Sequence, residues 1–333
     1  MRLHTDLVKD SKFWKTSQDR DRIYTRHTSI ETSGHGDNIR GQELGRGAFG
    51  IVWKEKLVDG ESDAKERAVK MIRKQFGKSK IDYARELEAI AKFSRGRYKL
   101  YFVESFGWYE SLDDVFIAME YFEHGDLENY LLEVRNMPEN DVRIISNQVL
   151  KGVEQMHVNR FAHRDLKPGN ILIRRLGDHK LGWLVKIGDF GISKRAEEGM
   201  TALRTFGGSS GYIAPEILVK DNRLFPTAHV HDKLEVEKEG FALVIDIWAV
   251  GSIIYRALCG VTPFETGLLA YVNGKEFSAH ELNEFSVSTE GIGLIRKLLE
   301  VYPDDRLTAA EALEDPWFNE LQVNSPRSSG EYE

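Results

Sequence analysis

The chain has 333 residues, room for about two domains of ~150 residues or one large bilobal one. Its 46 Lys+Arg against 53 Asp+Glu give a formal charge of −7, which argues against general nucleic-acid binding, a function that wants a basic excess. Hydrophobic residues at 41% and aromatics at 11% exclude wholesale disorder, and the single cysteine, Cys259, excludes a disulfide framework or a multi-cysteine zinc cage.

Residues 1–40 hold eight Lys/Arg, six Asp/Glu and nine Ser/Thr with scattered apolar residues, and read as a partly ordered or regulatory arm. They contain no apolar stretch of the signal-peptide kind, which predicts an intracellular protein, in cytoplasm or nucleus. From Gln42 to about Ile72 the pattern is strand-like: Leu44, Ile51, Val52, Trp53, Val69, Met71 and Ile72 are separated by Gly/Asp turns. Ile81, Ala84, Leu87 and Ala91 then recur at helical spacing. Val115 to Phe122 is a short, nearly continuous apolar run that suits a strand buried on both faces.

From Asp141 the period is helical. Val142, Ile145, Val149, Gly152, Val153 and Met156 line one face, and the pattern breaks near Asn159. Phe241 to Val261 is the longest apolar region; Asp246 and Arg256 within it favour a buried helix over a membrane span. Residues 220–240 are polar and charged and read as a surface insertion, and 320–333 as a flexible tail. A sheet-rich front and a helix-rich back predict an α+β protein of two unequal lobes joined near residues 120–126, with a cleft between them.

Gly45, Gly47 and Gly50 form G-x-G-x-x-G, a spacing that lets backbone amides approach phosphate oxygens. A strand follows them instead of a helix, which disfavours a dinucleotide fold, and a plain flexible turn stays open. Lys70, in Ala68-Val69-Lys70, places a cation in an apolar strand. It lies on a solvated edge or meets an anion; Glu86, or failing that Glu88, could supply one, and nucleotide phosphates another.

His163-Arg164-Asp165-Leu166-Lys167-Pro168-Gly169-Asn170 is a polar octamer between a long amphipathic helix and the apolar Ile171-Leu172-Ile173. It offers a proton acceptor, a cation for a moving phosphoryl group and a neutral oxygen for a metal ion. Asp189-Phe190-Gly191 adds a carboxylate on a loop that glycine lets bend. Oxygen ligands of this kind suit Mg²⁺.

In this order, and with Ala214-Pro215-Glu216, Asp246-x-Trp248-x-x-Gly251 and the late Arg306, the motifs resemble those of the eukaryotic protein kinases of serine/threonine type. The resemblance runs from about residue 41 to Phe318 and implies a kinase domain over 41–319. Its β-rich N-lobe would be 41–120 and its helical C-lobe 124–319.

The resemblance implies the roles as well. The glycine loop would cover the phosphates of ATP, with Leu44, Val52 and Ala68 among the nucleotide contacts. Lys70, held by Glu86, would touch the α- and β-phosphates. Met119 would be the gatekeeper, Glu120 to Phe122 the adenine-reading hinge, and Asp126 the acid that meets the ribose. Asn170 and Asp189 would hold Mg²⁺, Asp165 would take or orient the substrate hydroxyl proton, and Lys167 would steady the γ-phosphoryl group. Lys167, two residues after Asp165, marks the serine/threonine branch. Glu216 would ion-pair with Arg306.

Protein substrates are the implied partners, with an upstream kinase acting on Thr205. Ser209 would face the catalytic Asp, and Arg164 with Lys194 would form a phosphate pocket. Of the positions at which basophilic members carry acids, Asp126, Gly169 and Arg256, only the first is acidic here, which predicts at most a modest basic preference. Motif style leans to the calmodulin-dependent and checkpoint-like groups. A nucleotide-binding scaffold without activity and a small-molecule phosphotransferase are the competing classes; Ala214-Pro215-Glu216 disfavours the second.

The sequence departs from the family pattern in places. Gly208-Ser209-Ser210 stands where Gly-Thr-Pro is usual, and the Arg174–Leu184 hairpin and the stretch from Glu216 to Asp246 are longer than usual.

Overall fold

The computed structural model describes residues 42–47, 50–56, 66–76, 79–80, 84–94, 96–110, 113–177, 182–190, 210–219, 241–319 and 321. The 1–40 arm, the 220–240 insertion, almost all of the tail, the tip of the 174–184 hairpin, Thr205, Ser209 and Lys194 lie outside the described residues. Two compact units divide the chain: Met1–Gly125 with Gly188–Thr201, and Asp126–Ile187 with Ala202–Glu333.

The first unit is built on strands β1 (Glu43–Gly47), β2 (Gly50–Lys56), β3 (Glu66–Arg73), the short pair β4 (Gln75–Phe76) and β5 (Ser79–Lys80), helix α1 (Ala84–Phe93), and strands β6 (Ser105–Glu110) and β7 (Asp114–Glu120). Its main sheet runs β1-β2-β3-β7-β6, antiparallel throughout. Both faces are apolar. Ile72, Val115, Ile117 and Trp108 pack with Leu87 and Ile90 of α1, while Val69, Phe116 and Ala118 face the other way with Trp53, Met71 and Phe106 beside them.

That two-sided burial is what the continuous run in β7 anticipates, since a strand covered on both faces has no polar alternation. The strand ends at Glu120, however, two residues before the apolar run does. Phe122 opens a turn instead: its carbonyl accepts from the Gly125 N–H at 3.1 Å, with Gly125 at φ +68°.

The second unit is mainly helical. It comprises α2 (Leu127–Val134), α3 (Glu139–Val158), the hairpin β8 (Ile171–Arg175) and β9 (Trp183–Ile187), then α4 (Pro215–Val219), α5 (Phe241–Cys259), α6 (Leu268–Val272), α7 (His280–Glu284), α8 (Thr289–Leu298) and α9 (Ala309–Leu313). The α3 apolar face, Val142 to Met156, is buried as its 3.6-residue period requires. Helix α5 is apolar nearly all round because it packs on α3 and α8 at once. Gly251 permits the second contact: a Cβ there would stand 2.9 Å from Leu298 Cβ and Leu299 Cδ2. Among the described residues no helix is long and apolar enough to cross a membrane.

Candidate active site

In the first unit, strand register sets the arrangement. Gly45 lies opposite Val52, Val52 opposite Lys70, and Lys70 opposite Ile117, while Ala68 lies opposite Met119. Directly opposed residues share a face, so Val52, Ala68, Lys70 and Met119 all emerge on the side of the sheet that packs α1. Leu44 and Val52 are half-buried and Ala68 is buried. Arg67 and Arg73 alternate to the opposite face of β3, so Lys70 is the strand's cation on this side, and its ammonium meets Asp189 Oδ1 at 2.6 Å. The side chains of Glu86 and Glu88, on α1, lie outside the described residues.

Asp189 and Phe190 belong with the first unit although they follow β9 in sequence. Phe190 packs against the Ile72–Leu87 cluster and stacks on Phe93 at 6.0 Å, with Phe102 at 5.6 Å. Such ring pairs add about 0.5–1.5 kcal/mol each beyond burial. Asp189 sits at φ +52°, in the left-handed region that a non-glycine residue adopts at a cost of about 1–3 kcal/mol. The Lys70 ion pair and the Phe190 stack flank that strained residue on either side.

The glycines of the loop are not equivalent. A Cβ on Gly45 would meet nothing within 4 Å. One on Gly50 would stand 1.8 Å from the Met71 carbonyl oxygen, so the β2–β3 pairing itself demands glycine there.

In the second unit, the octamer after α3 folds around Asp165. Its carboxylate is buried, with Lys167 Nζ 3.3 Å from Oδ2. Buried Asn170 donates from Nδ2 to the Asp165 carbonyl at 2.7 Å, which commits the amide nitrogen and leaves Oδ1 as the atom available to a cation. The Asp165 N–H donates to His163 Nδ1 at 3.3 Å.

Asp246 of α5, 1% exposed, fixes this loop from below. Its Oδ2 accepts from the His163 N–H at 2.8 Å and its Oδ1 from the Arg164 N–H at 2.7 Å. These bonds hold Arg164 at φ +64° with its side chain outward. His157 Nε2 lies 3.1 Å from Asp246 Oδ2. His157 escaped the sequence reading because it sits beside the apolar Met156 in the last turn of α3, where only its spacing to His163 gives a signal.

Three further residues have definite places. Asp126 caps α2, accepting from Asn129 N and Nδ2 at 2.8 Å each; burial raises its pKa, and the Asn129 bonds oppose that rise. Glu120 ends β7, and Phe122 is buried. Glu216, at the start of α4, pairs with Arg306 in the interior.

Taken singly, Asn170 in the second unit and Asp189 in the first each carry a hard oxygen of the kind magnesium prefers. Among the described residues there is no cluster of three His, Cys, Asp or Glu that would suit a different metal centre.

The family model for the protein kinase domain matches residues 39–318. The chain belongs to the protein kinase family. It is similar to the serine/threonine-protein kinase RAD53 of Saccharomyces cerevisiae, 33% identical over 301 residues covering 89% of this chain and 34% of that protein. It is also similar to the serine/threonine-protein kinase cds1 of Schizosaccharomyces pombe, 34% identical over 68% of this chain and 46% of that protein. The calcium/calmodulin-dependent protein kinase cmkA of Emericella nidulans is 32% identical over 84% of this chain and 61% of that protein.

The kinase chain thus spans between about a third and a half of the length of its RAD53 and cds1 relatives. A crystal structure of Rad53 1-466 in complex with AMP-PNP superposes with a TM-score of 0.61 at 30% identity, covering 83% of this chain and 64% of that one. The lean toward calmodulin-dependent and checkpoint-like groups agrees with these relatives. The α+β kinase fold, a five-stranded antiparallel sheet followed by a mainly helical region, is the fold of the Rad53 kinase structures.

Proposed function

We propose that this kinase domain transfers the γ-phosphoryl group of ATP to serine and threonine hydroxyls of protein substrates. The observation that carries the reading is the Asp165 group: a buried carboxylate with an ammonium 3.3 Å away, and an asparagine tied to the same residue's carbonyl. Phosphoryl transfer asks for positioning and charge stabilisation more than for covalent chemistry, and this group supplies both.

Asp165 orients the incoming hydroxyl and takes its proton as the oxygen attacks phosphorus. The bond from the γ-phosphorus to the bridging oxygen breaks, ADP leaves, and the proton passes from Asp165 to solvent. Lys167 balances the charge on the moving phosphoryl oxygens. Lys70, already paired with a carboxylate at 2.6 Å, is the cation for the α- and β-phosphates. Gly45, Gly47 and Gly50 present amides over the phosphates, with Leu44, Val52, Ala68 and Met119 against the base. Glu120 and Phe122 read the adenine edge through the backbone, and Asp126 meets the ribose. Asn170 and Asp189 would be the residues that offer oxygens to magnesium, which would supply counter-charge to the phosphates.

Phosphorylation of Thr205 by an upstream kinase is the activating step in this reading, supported among the described residues by the exposed Arg164, a cation suited to a phosphate; Lys194 and Ser209 keep the roles that the resemblance implies. Substrates carry at most a modest basic preference, since Asp126 is the one acid among the three positions.

The test is labelling of a protein acceptor by the purified chain with Mg²⁺ and radiolabelled ATP, beside Asp165→Asn. Transfer by the wild type and a fall of about 10²–10⁴-fold in the variant, with nucleotide affinity kept, is the expected result. Nucleotide binding with no transfer by either protein identifies a scaffold instead.

A further inference from the structure

In the first unit, a cation outside the groups assigned to ATP reaches the segment assigned to adenine. Lys54 lies on β2 two residues after Val52, and it stands opposite Ala68 on β3 as Val52 stands opposite Lys70. Side chains alternate along a strand, so Lys54 shares the face of Val52, Ala68 and Met119. Glu66, two residues before Ala68, is its diagonal neighbour on that face. Lys54 Nζ is 2.9 Å from Glu66 Oε1 and sits over the Tyr121 ring, 4.3 Å from the centroid.

The Lys54 side chain is 19% exposed and that of Glu66 34%, so the ammonium is the inner member of the pair. Bonding to Glu66 raises the Lys54 pKa against the loss of water, and the charge over the ring is kept at neutral pH. Residues 120–122 are tied at both ends through the backbone. The Glu120 N–H donates to the Glu104 carbonyl at 2.8 Å, and the Phe122 carbonyl accepts from the Gly125 N–H at 3.1 Å. Tyr121 lies between these ties, and the cation over its ring joins the middle of the segment to β2 and β3. The quadrupole of an aromatic face attracts a cation, the more so where the cation has shed water.

We infer that Lys54 is a positioning residue for adenine: its ammonium, held by Glu66, clamps the Tyr121 ring and so fixes the backbone on either side that reads the base. The inference rests on the reading above that residues 120–122 meet adenine, and not on phosphoryl transfer itself. Lys54 acts through Tyr121 and not on the phosphates. Loss of the ammonium therefore weakens adenosine and ADP by the same factor, whereas loss of an ordinary surface ion pair would leave both affinities unmoved.

The experiment titrates the full chain with adenosine and with ADP by calorimetry, follows the amides of residues 120–122 by NMR, and measures KM for ATP and kcat. Lys54→Met is expected to weaken adenosine and ADP alike by about three- to fivefold and to raise KM for ATP equally, with kcat within about twofold of wild type. Lys54→Arg keeps a cation on the ring and is expected to restore both affinities. Tyr121→Leu removes the ring, and adding Lys54→Met to it is expected to change nothing further. Lys297→Met breaks a 2.7 Å pair with Asp315 in the second unit and, as the control for general destabilisation, leaves both affinities unmoved. ADP weakened with adenosine unaffected, no rescue by arginine, or an undiminished effect of Lys54→Met in the Tyr121→Leu background overturns the inference. Adenosine that shifts the 120–122 amides but binds Lys54→Met as tightly as wild type overturns the inference alone; adenosine that leaves those amides unmoved overturns the adenine reading and the inference with it. A wild type that transfers no phosphate sinks the phosphotransfer reading separately, and the two affinities still decide the role of Lys54.

Discussion

Glu216 and Arg306, ninety residues apart, meet face to face: Nη1–Oε1 is 2.6 Å, Nη2–Oε2 is 2.7 Å, and neither side chain has any exposed surface. The remaining guanidinium donors go to the carbonyls of Glu300, Val301 and Val244, and Trp248 lies 5.0 Å beneath the charge. A buried pair adds little net stability against well-packed apolar residues, but breaking one side leaves an uncompensated charge in the interior. Arg306→Leu is therefore expected to lose about 3–5 kcal/mol in denaturant unfolding. The double variant Glu216→Leu with Arg306→Leu is expected to lose less than the sum of the two single changes.

The loop glycines separate fold from nucleotide binding. Gly50→Ala drives a methyl against the Met71 carbonyl, whereas Gly45→Ala meets open space. The Gly50 variant is expected to lower Tm through the β2–β3 pairing. The Gly45 variant is expected to keep Tm and to raise KM for ATP. Calorimetry and nucleotide titration on the two proteins check this, and an equal fall in Tm would count against it.

Asp246→Asn removes the charge from an oxygen pair that accepts from the His163 and Arg164 amides, and turns an amide donor toward one of those two N–H groups or His157. Hydrogen bonds to a charged group are worth about 1.5–3 kcal/mol each, and Arg164 depends on one to hold φ +64°. The expected outcome is faster amide exchange at Arg164 and a fall in kcat of about 10- to 100-fold, with KM for ATP unchanged.

Glu139 gives a pH dependence with a definite sign. Burial pushes its pKa up, but donors from Ser288 and Trp317 outweigh that and hold it below the ordinary value of 4.5. The bonds run from Ser288 N at 3.0 Å, Ser288 Oγ at 2.5 Å and Trp317 Nε1 at 2.6 Å. A folded-state pKa below the unfolded one means that the ionised form favours the fold. The contribution is complete above the unfolded value and is lost as pH falls through the folded one. Glu139→Gln should thus be less stable than wild type at pH 7, with the gap closing below pH 4.5. A gap that stays constant down the acid limb would contradict this.

Cys259 is expected to be inert toward thiol reagents in the native state. It is buried, and burial with the nearby Glu281 pushes its pKa up to about 12, so almost no thiolate is present at neutral pH. Labelling with a maleimide before and after denaturation checks this directly.

The sequence by itself determined the elements and their order. The Val142–Met156 face, the all-round apolar Phe241–Cys259 and the unbroken β7 run are local patterns, because side-chain period follows backbone geometry within a few residues. The order of the motifs likewise determined the family, since each motif is contiguous. Tertiary structure alone decided which groups meet. Lys70 finds Asp189 across 119 residues, Asp246 takes up two loop amides together with His157, and Gly50 answers to a carbonyl on the next strand. Arg256, which in sequence reads only as a reversed charge, donates to the Arg135 carbonyl at 3.0 Å and lies 3.8 Å from the Glu128 carboxylate. Such meetings depend on strand register, on how closely helices approach and on which charges lose their water, and none of these is written in the spacing of neighbouring residues.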